Sequence, residues 1–254
     1  MERRKFLKNT GLGLVGLAIA NQSLAKSITS HNMSKNVYLL ISGGIAYDDF
    51  MSAFESSFLK EFQANNNLKI DFNTQVNYDG AVLEHAESLC SLLNKLELNN
   101  RQAVFISNNN SHTTKAVEQL QLPFEIKKTQ SSISELPYRN DEMIFVAAHK
   151  AISDYQEIYL NLEDTDIAHS NKSYYKDVLI YYNQAIGELC KKLFSHQETA
   201  KNSCLHIMST LGRNSTNCNL YDNADGNSSS HHYHESARKL FSIHISGADY
   251  YQLV

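Results

Sequence analysis

The chain has 254 residues, with 23 Lys and Arg against 27 Asp and Glu and a formal net charge of -4. That balance argues against nucleic acid as a partner, since phosphate binding needs a basic face. With 42% hydrophobic residues there is enough apolar material for a full core without staples.

The amino-terminal stretch comes first. Arg3-Arg4-Lys5-Phe6-Leu7-Lys8 precedes a short apolar run at 11–20, and Ser23-Leu24-Ala25 offers a small-x-small exit. Basic head, apolar middle and small-residue exit form the layout of an export signal. The paired arginines resemble the twin-arginine signal, read by machinery that exports folded proteins, although Glu2 stands where that pattern carries Ser or Thr. The apolar run is about half of the ~20 residues that span a bilayer, and no Cys follows it, so no stable membrane anchor is expected. The expected organisation is a signal at 1–25, a loose linker at 26–36 and a single α/β domain at 37–254. The expected location is periplasmic or secreted, with the twin-arginine export machinery as a partner.

Val37-Tyr38-Leu39-Leu40-Ile41 is apolar on both faces, which predicts a central parallel strand. Ser42-Gly43-Gly44 permits a sharp turn at its carboxyl end. Asp48 or Asp49 can cap the next helix, with Phe50, Phe54, Phe58, Leu59 and Phe62 at helical spacing. Residues 68–76 alternate and read as a strand, and residues 81–97 read as an amphipathic helix. Ala103-Val104-Phe105-Ile106 is another short strand. The polar loop after it, ending at Ser111, can cap a helix from about His112 to Leu120. Residues 121–140 hold both prolines and little periodicity and read as an insertion or lid. Residues 144–149 fit either helix or strand.

Residues 157–162 form a strand, followed by the acidic turn Glu163-Asp164-Thr165-Asp166 and His169. A long helix spans 173–194, a strand 205–209 and a final strand 241–245. Between the last two lies a loop rich in Asn, Ser, Asp and Gly, then His231-His232-Tyr233-His234. Strands alternating with long helices predict βαβ units around a parallel sheet. Cys90, Cys190, Cys204 and Cys218 include no C-x-x-C pair, so a zinc knuckle or thioredoxin-type site is unsupported. They suit disulfides in an oxidising compartment or buried thiols equally well.

In open α/β sheets ligands bind at the carboxyl ends of the strands. Ser42, Asp164, Asp166 and Arg213 fall at such ends. Carboxylates and imidazole in one tight turn, Asp164, Asp166 and His169, can share a divalent metal or simply cap a helix. On a helix or turn His231 and His234 share a face, and on a strand His232 and His234 do. Arg213 can clamp phosphate or sulfate oxygens or serve a surface turn. His85 can act as acid or base or lie on a solvated helix face.

Together these pieces resemble the alkaline phosphatase-like superfamily of phosphatases, phosphodiesterases, sulfatases and cofactor-independent phosphoglycerate mutases. The order of elements is similar: strand and Gly-rich turn at 37–44, helix start at 78–88, acidic turn at 164–169, strand, long loop and His cluster. The resemblance implies a three-layer sandwich with a mostly parallel central sheet. It implies a metal-assisted hydrolase of phosphate or sulfate esters, acting on a small anionic ester or glycan-like substrate. In that reading Asp164, Asp166, His169, His232 and His234 hold a divalent metal (zinc, manganese or calcium), and His85, Arg213 and Ser42 lie at the reacting centre. No organic cofactor is implied. Ser42 stands where the superfamily's first strand ends in a metal-binding Asp, and no nucleophile is evident at 78–85. The alternative is therefore a catalytically inactive periplasmic binding or accessory protein that retains the fold.

Overall fold

The run Asn36–Ile41 forms β1, and its burial on both faces makes it the middle of the sheet. In the computed structural model the described residues are 35–42, 44–55, 68–76, 102–109, 111–130, 139–168, 171–194, 200–209, 213 and 239–247. All fall within one compact unit, Ser34–Val254. After β1 the described elements run α1 (Tyr47–Glu55), β2 (Leu68–Val76), β3 (Ala103–Asn108), α2 (His112–Gln119) and β4 (Glu125–Thr129). They continue with α3 (Glu142–Asp154), β5 (Glu157–Leu162), α4 (Asp164–Ile167), α5 (Lys172–Leu193), β6 (Cys204–Ser209) and β7 (Lys239–Gly247).

The sheet has seven strands in the order β2-β7-β6-β1-β5-β3-β4. β1 pairs in parallel with β5 and β6, and β3 with β4 and β5. β7 alone opposes its neighbours, pairing antiparallel with β6 and β2. β1, β3 and β5 read as continuous apolar runs because helices cover the sheet and leave neither face wet. One face carries the larger core, where Leu39, Val104, Leu160, Ile207 and Ile243 meet Phe54, Phe145, Ala148, Val178, Tyr182 and Ile186 from α1, α3 and α5. The other face buries Leu40, Phe105 and Tyr159 with Val117 of α2. The α/β fold expected from the sequence, with its mostly parallel central sheet, is the fold observed.

Local chemistry sets the boundaries. Gly44 has φ 80°, the left-handed region that favours glycine, and turns the chain from β1 toward α1. Ser111 caps α2 by accepting the Thr114 N–H, and Asn171 caps α5 by accepting those of Ser173 and Tyr174. Lys191 and Lys192 sit in the last turn of α5, where positive charge favours the helix dipole. Residues 144–149 lie within α3, which buries Ile144, Phe145, Ala148, Ala151 and Ile152. Within 121–140, Glu125–Thr129 forms a strand at the sheet edge. Its run of Glu and Lys hides it from a hydrophobicity reading, and charge on an edge strand discourages pairing with other chains. The expected signal, the helix at 81–97 and the loop before β7 lie outside the described residues. No helix among the described residues is long and apolar enough to cross a membrane. Cys190 and Cys204 are buried free thiols.

Candidate functional site at the carboxyl edge

The carboxyl ends of β1, β3 and β5 meet in a polar network centred on Asn161. This residue interrupts the apolar run of β5 and is buried. Its Oδ1 accepts the Ser42 hydroxyl at 2.7 Å. Its Nδ2 donates to Ser107 Oγ at 3.1 Å and to Glu163 Oε1 at 2.9 Å. The Ser111 hydroxyl donates to the same Glu163 oxygen at 2.6 Å, and Thr114 Oγ1 donates to Ser107 Oγ at 2.7 Å. Asn161 thus ties three strands together and, with the α2 cap, fixes one oxygen of a half-buried carboxylate.

Beside this network lies a reciprocal carboxylate pair. Asp141 Oδ2 accepts the N–H groups of Glu163 and Asp164, each at 2.9 Å, and the Tyr182 hydroxyl at 2.5 Å. Asp164 answers by accepting the Asn140 N–H at 3.0 Å and the Asp141 N–H at 2.8 Å. Burial pushes both carboxyls up, Asp141 to about 7 and Asp164 to about 9, with the Asp141 charge a second cause at Asp164. Arg139, which pairs with Asp177 at 3.1 Å and lies over the Tyr181 ring at 4.6 Å, partly offsets the rise at Asp164.

Arg213 is fully buried, with its guanidinium 4.0 Å from the Tyr175 ring centre and Nη1 donating to the Thr165 carbonyl at 3.4 Å. The Tyr175 hydroxyl in turn accepts the Ala46 N–H at 3.0 Å. Ser42, Asp164 and Arg213 are therefore brought to one edge through shared neighbours. Ala46 follows the turn after Ser42, Tyr175 joins Ala46 to Arg213, and Arg213 reaches the residue after Asp164. Asp166 is exposed on the short α4. His85, His169, His232 and His234 lie outside the described residues.

Sequence reasoning missed Asp141 and Asn161, and named Glu163 only as part of the acidic turn. The usable signal for Asn161 was an amide near the carboxyl end of an otherwise apolar strand, where an unpaired polar group costs free energy. It also missed the neighbourhood of Cys204, His206 and His244, the group among the described residues whose side chains approach closely enough to share one ion. There the signal was Cys-x-His on a strand, which points both side chains to one face.

No family model matches the sequence, and no curated protein matches it. Among solved structures the chain is similar to the C-terminal periplasmic domain of EcEptC from Escherichia coli. The TM-score is 0.50 at 11% identity, covering 88% of this chain and 75% of that one. The same domain in complex with Zn gives 0.49 at 11% identity, covering 88% and 76%. A protein in the alkaline phosphatase superfamily from Vibrio parahaemolyticus gives 0.44 at 10% identity, covering 85% and 60%. At such identities the likeness is one of fold. That fold is the α/β fold with a mostly parallel central sheet that the sequence resemblance implied.

Proposed function

We propose that this chain is an exported, hydrolase-like protein acting on phosphate or sulfate esters, small or glycan-like, with assistance from a divalent metal. The observation that carries the reading is the gathering of Ser42, Asp164 and Arg213 at the carboxyl edge of a mostly parallel sheet, where open α/β folds bind their ligands. The reading takes Asp164, Asp166, His169, His232 and His234 as ligands for zinc, manganese or calcium. The donor chemistry is suitable. Each Asp164 oxygen accepts one backbone N–H, which leaves acceptor capacity for a cation that displaces the proton of the raised carboxyl. When bound, the ion polarises the ester and activates a hydroxyl or water. Arg213 contributes fixed positive charge toward the anionic oxygens, and His85 serves as acid or base.

The test is turnover of a panel of phosphate and sulfate esters by the purified chain with added Zn²⁺, Mn²⁺ or Ca²⁺. Metal-dependent turnover that His169→Ala abolishes supports the reading; no turnover with any of the three metals overturns it. Export is tested separately. Replacing Arg3 and Arg4 together by Lys should hold the precursor in the cytoplasm, and unchanged periplasmic recovery would remove the twin-arginine route.

A second reading has its own observation in favour. The Ser42 hydroxyl, at the position of the superfamily's metal-binding Asp, donates to Asn161 within a settled network. A non-catalytic binding or accessory protein fits that. It predicts a raised Tm with an anionic ester present but no hydrolysis under any metal condition.

A further inference from the structure

A second cluster of ligating side chains lies toward the other end of the strands. Cys204 pairs with Asn36 at the start of β1, whereas Ser209 pairs with Ile41 at its end. At ~3.3 Å per residue the two ends of β6 are about 17 Å apart. Cys204 and His206 alternate with Leu205 and Ile207 of the larger core, so both project to the opposite face. On that face the register aligns one row across the sheet: Asp71 on β2, His244 on β7, His206 on β6, Tyr38 on β1 and Tyr159 on β5.

His244 Nδ1 lies 3.2 Å from Cys204 Sγ and 3.2 Å from His206 Nδ1. One ligand atom from each of the three residues falls within 4.8 Å of the other two. In a tetrahedral zinc shell the edges are about 3.3 Å between two nitrogens and about 3.6 Å between nitrogen and sulfur, from ordinary bond lengths. The observed separations are close to those edges. Cys204 Sγ also lies 3.4 Å from His244 Nε2, so the sulfur is near both ring nitrogens while Nδ1 also meets His206. A central cation lets all three groups direct lone pairs at one point.

We infer that Cys204, His206 and His244 form a binding site for a zinc-class divalent ion, held by one thiolate and two imidazoles. The donor set is borderline to soft, which suits zinc or cobalt and not calcium or magnesium. Three protein ligands leave a fourth position for water or another ligand. The surroundings hold the ligands in place. The Tyr38 ring stacks on His206 at 4.6 Å and 5°, and on Tyr159 at 4.7 Å and 11°. Burial pushes both imidazoles down, His206 to about 4 with His244 a second cause, so they are neutral ligands at neutral pH. Asp71 opposes this at His244 and Lys69 reinforces it. Burial and the Glu157 charge push the Cys204 thiol up, so binding must displace its proton and release it to solvent. This site shares no residue with the carboxyl-edge centre, and its test does not depend on ester hydrolysis.

The test is titration of the metal-free full chain with Co²⁺. The expected result is a sulfur-to-cobalt charge-transfer band with the strong visible bands of a tetrahedral ion, saturating at one equivalent and lost on adding Zn²⁺. Cys204→Ala should remove the charge-transfer band. His206→Ala and His244→Ala should each weaken Co²⁺ binding by about tenfold or more. A variant with Cys90, Cys190 and Cys218 replaced by Ala should keep the band, since Cys204 is then the only cysteine. No band in the wild-type chain, or a band that survives Cys204→Ala, overturns the inference. Should a variant fail to fold, zinc X-ray absorption of the wild-type chain decides. A first shell containing sulfur at about 2.3 Å supports the site, and a shell of oxygen and nitrogen alone overturns it.

Discussion

Asp141 and Asp164 cap one another: Asp141 Oδ2 takes the Asp164 N–H at 2.9 Å, and Asp164 Oδ2 takes the Asp141 N–H at 2.8 Å. The exchange locks the start of α3 to the turn after β5. Both carboxyls are raised from the ordinary 3.8, Asp141 to about 7 and Asp164 to about 9. A raised acid contributes stability that is fully present below its unfolded value and is lost as pH rises through its folded value. The urea midpoint should therefore fall as pH rises from about 4, the unfolded value, to about 9, the higher of the two folded values. Asp141→Asn keeps a carbonyl acceptor for the Glu163, Asp164 and Tyr182 donors and removes one charge, so it should flatten that slope. Asp141→Ala leaves three buried donors short and should cost about 3 kcal/mol or more at any pH. Equal slopes in wild type and Asp141→Asn would show that the pair does not titrate as argued.

Asn161 is the hub of the carboxyl-edge network, and its two ends are not interchangeable. Asn161→Leu fills similar space but strands the partners in Ser42, Ser107 and Glu163, at a cost of about 2–4 kcal/mol. Asn161→Asp sets a second carboxylate against Glu163 Oε1, 2.9 Å from the present Nδ2. That variant should be least stable near neutral pH and recover in mild acid, as one carboxyl of the pair takes up a proton. Chemical denaturation of both variants at two pH values separates the cases.

Tyr175 makes two separable contributions. Tyr175→Phe removes the acceptor for the Ala46 N–H and should cost about 1–2 kcal/mol. Tyr175→Leu also removes the ring beneath the buried Arg213 guanidinium, adding about 2 kcal/mol or more. Arg213→Lys should be nearly as damaging as Tyr175→Leu, because a point charge cannot reproduce a planar stacked group. Melting temperatures in the three variants give the order directly.

Gly247 closes β7 against the segment before β6. A Cβ there would lie 2.3 Å from the Ala200 carbonyl oxygen and 2.9 Å from its carbon, both backbone atoms. No side-chain rotation relieves such a clash, so Gly247→Ala should destabilise by about 1–3 kcal/mol or more. A melting temperature equal to wild type would mean that the two segments separate at little cost.

Much of the fold was legible because its strands announce themselves by pattern. Residues 37–41, 103–106 and 158–160 are apolar on both faces, and only a covered parallel sheet accommodates that. The long helix was visible from its spacing, and α2 from Ser111. The edge strand β4 was hidden because Glu125, Lys127 and Lys128 suit solvent at a sheet margin, where burial imposes no pattern. Residues 144–149 were ambiguous in isolation because a short apolar run has no decisive period.

The site divides along the same line. Residue order alone indicated the carboxyl-edge positions of Ser42, Asp164 and Arg213, since each follows a strand. Pairing between distant segments decided their partners: Ser42 with Asn161, Asp164 with Asp141, Arg213 with Tyr175. The sequence by itself determined the periodicities, the caps and the polar strand ends, which are local consequences of side-chain chemistry. Only the tertiary structure decided that His244 stands beside His206 and Cys204, because that neighbourhood depends on β7 running antiparallel in one register. A shift of one residue would turn His244 into the core and leave the row without it.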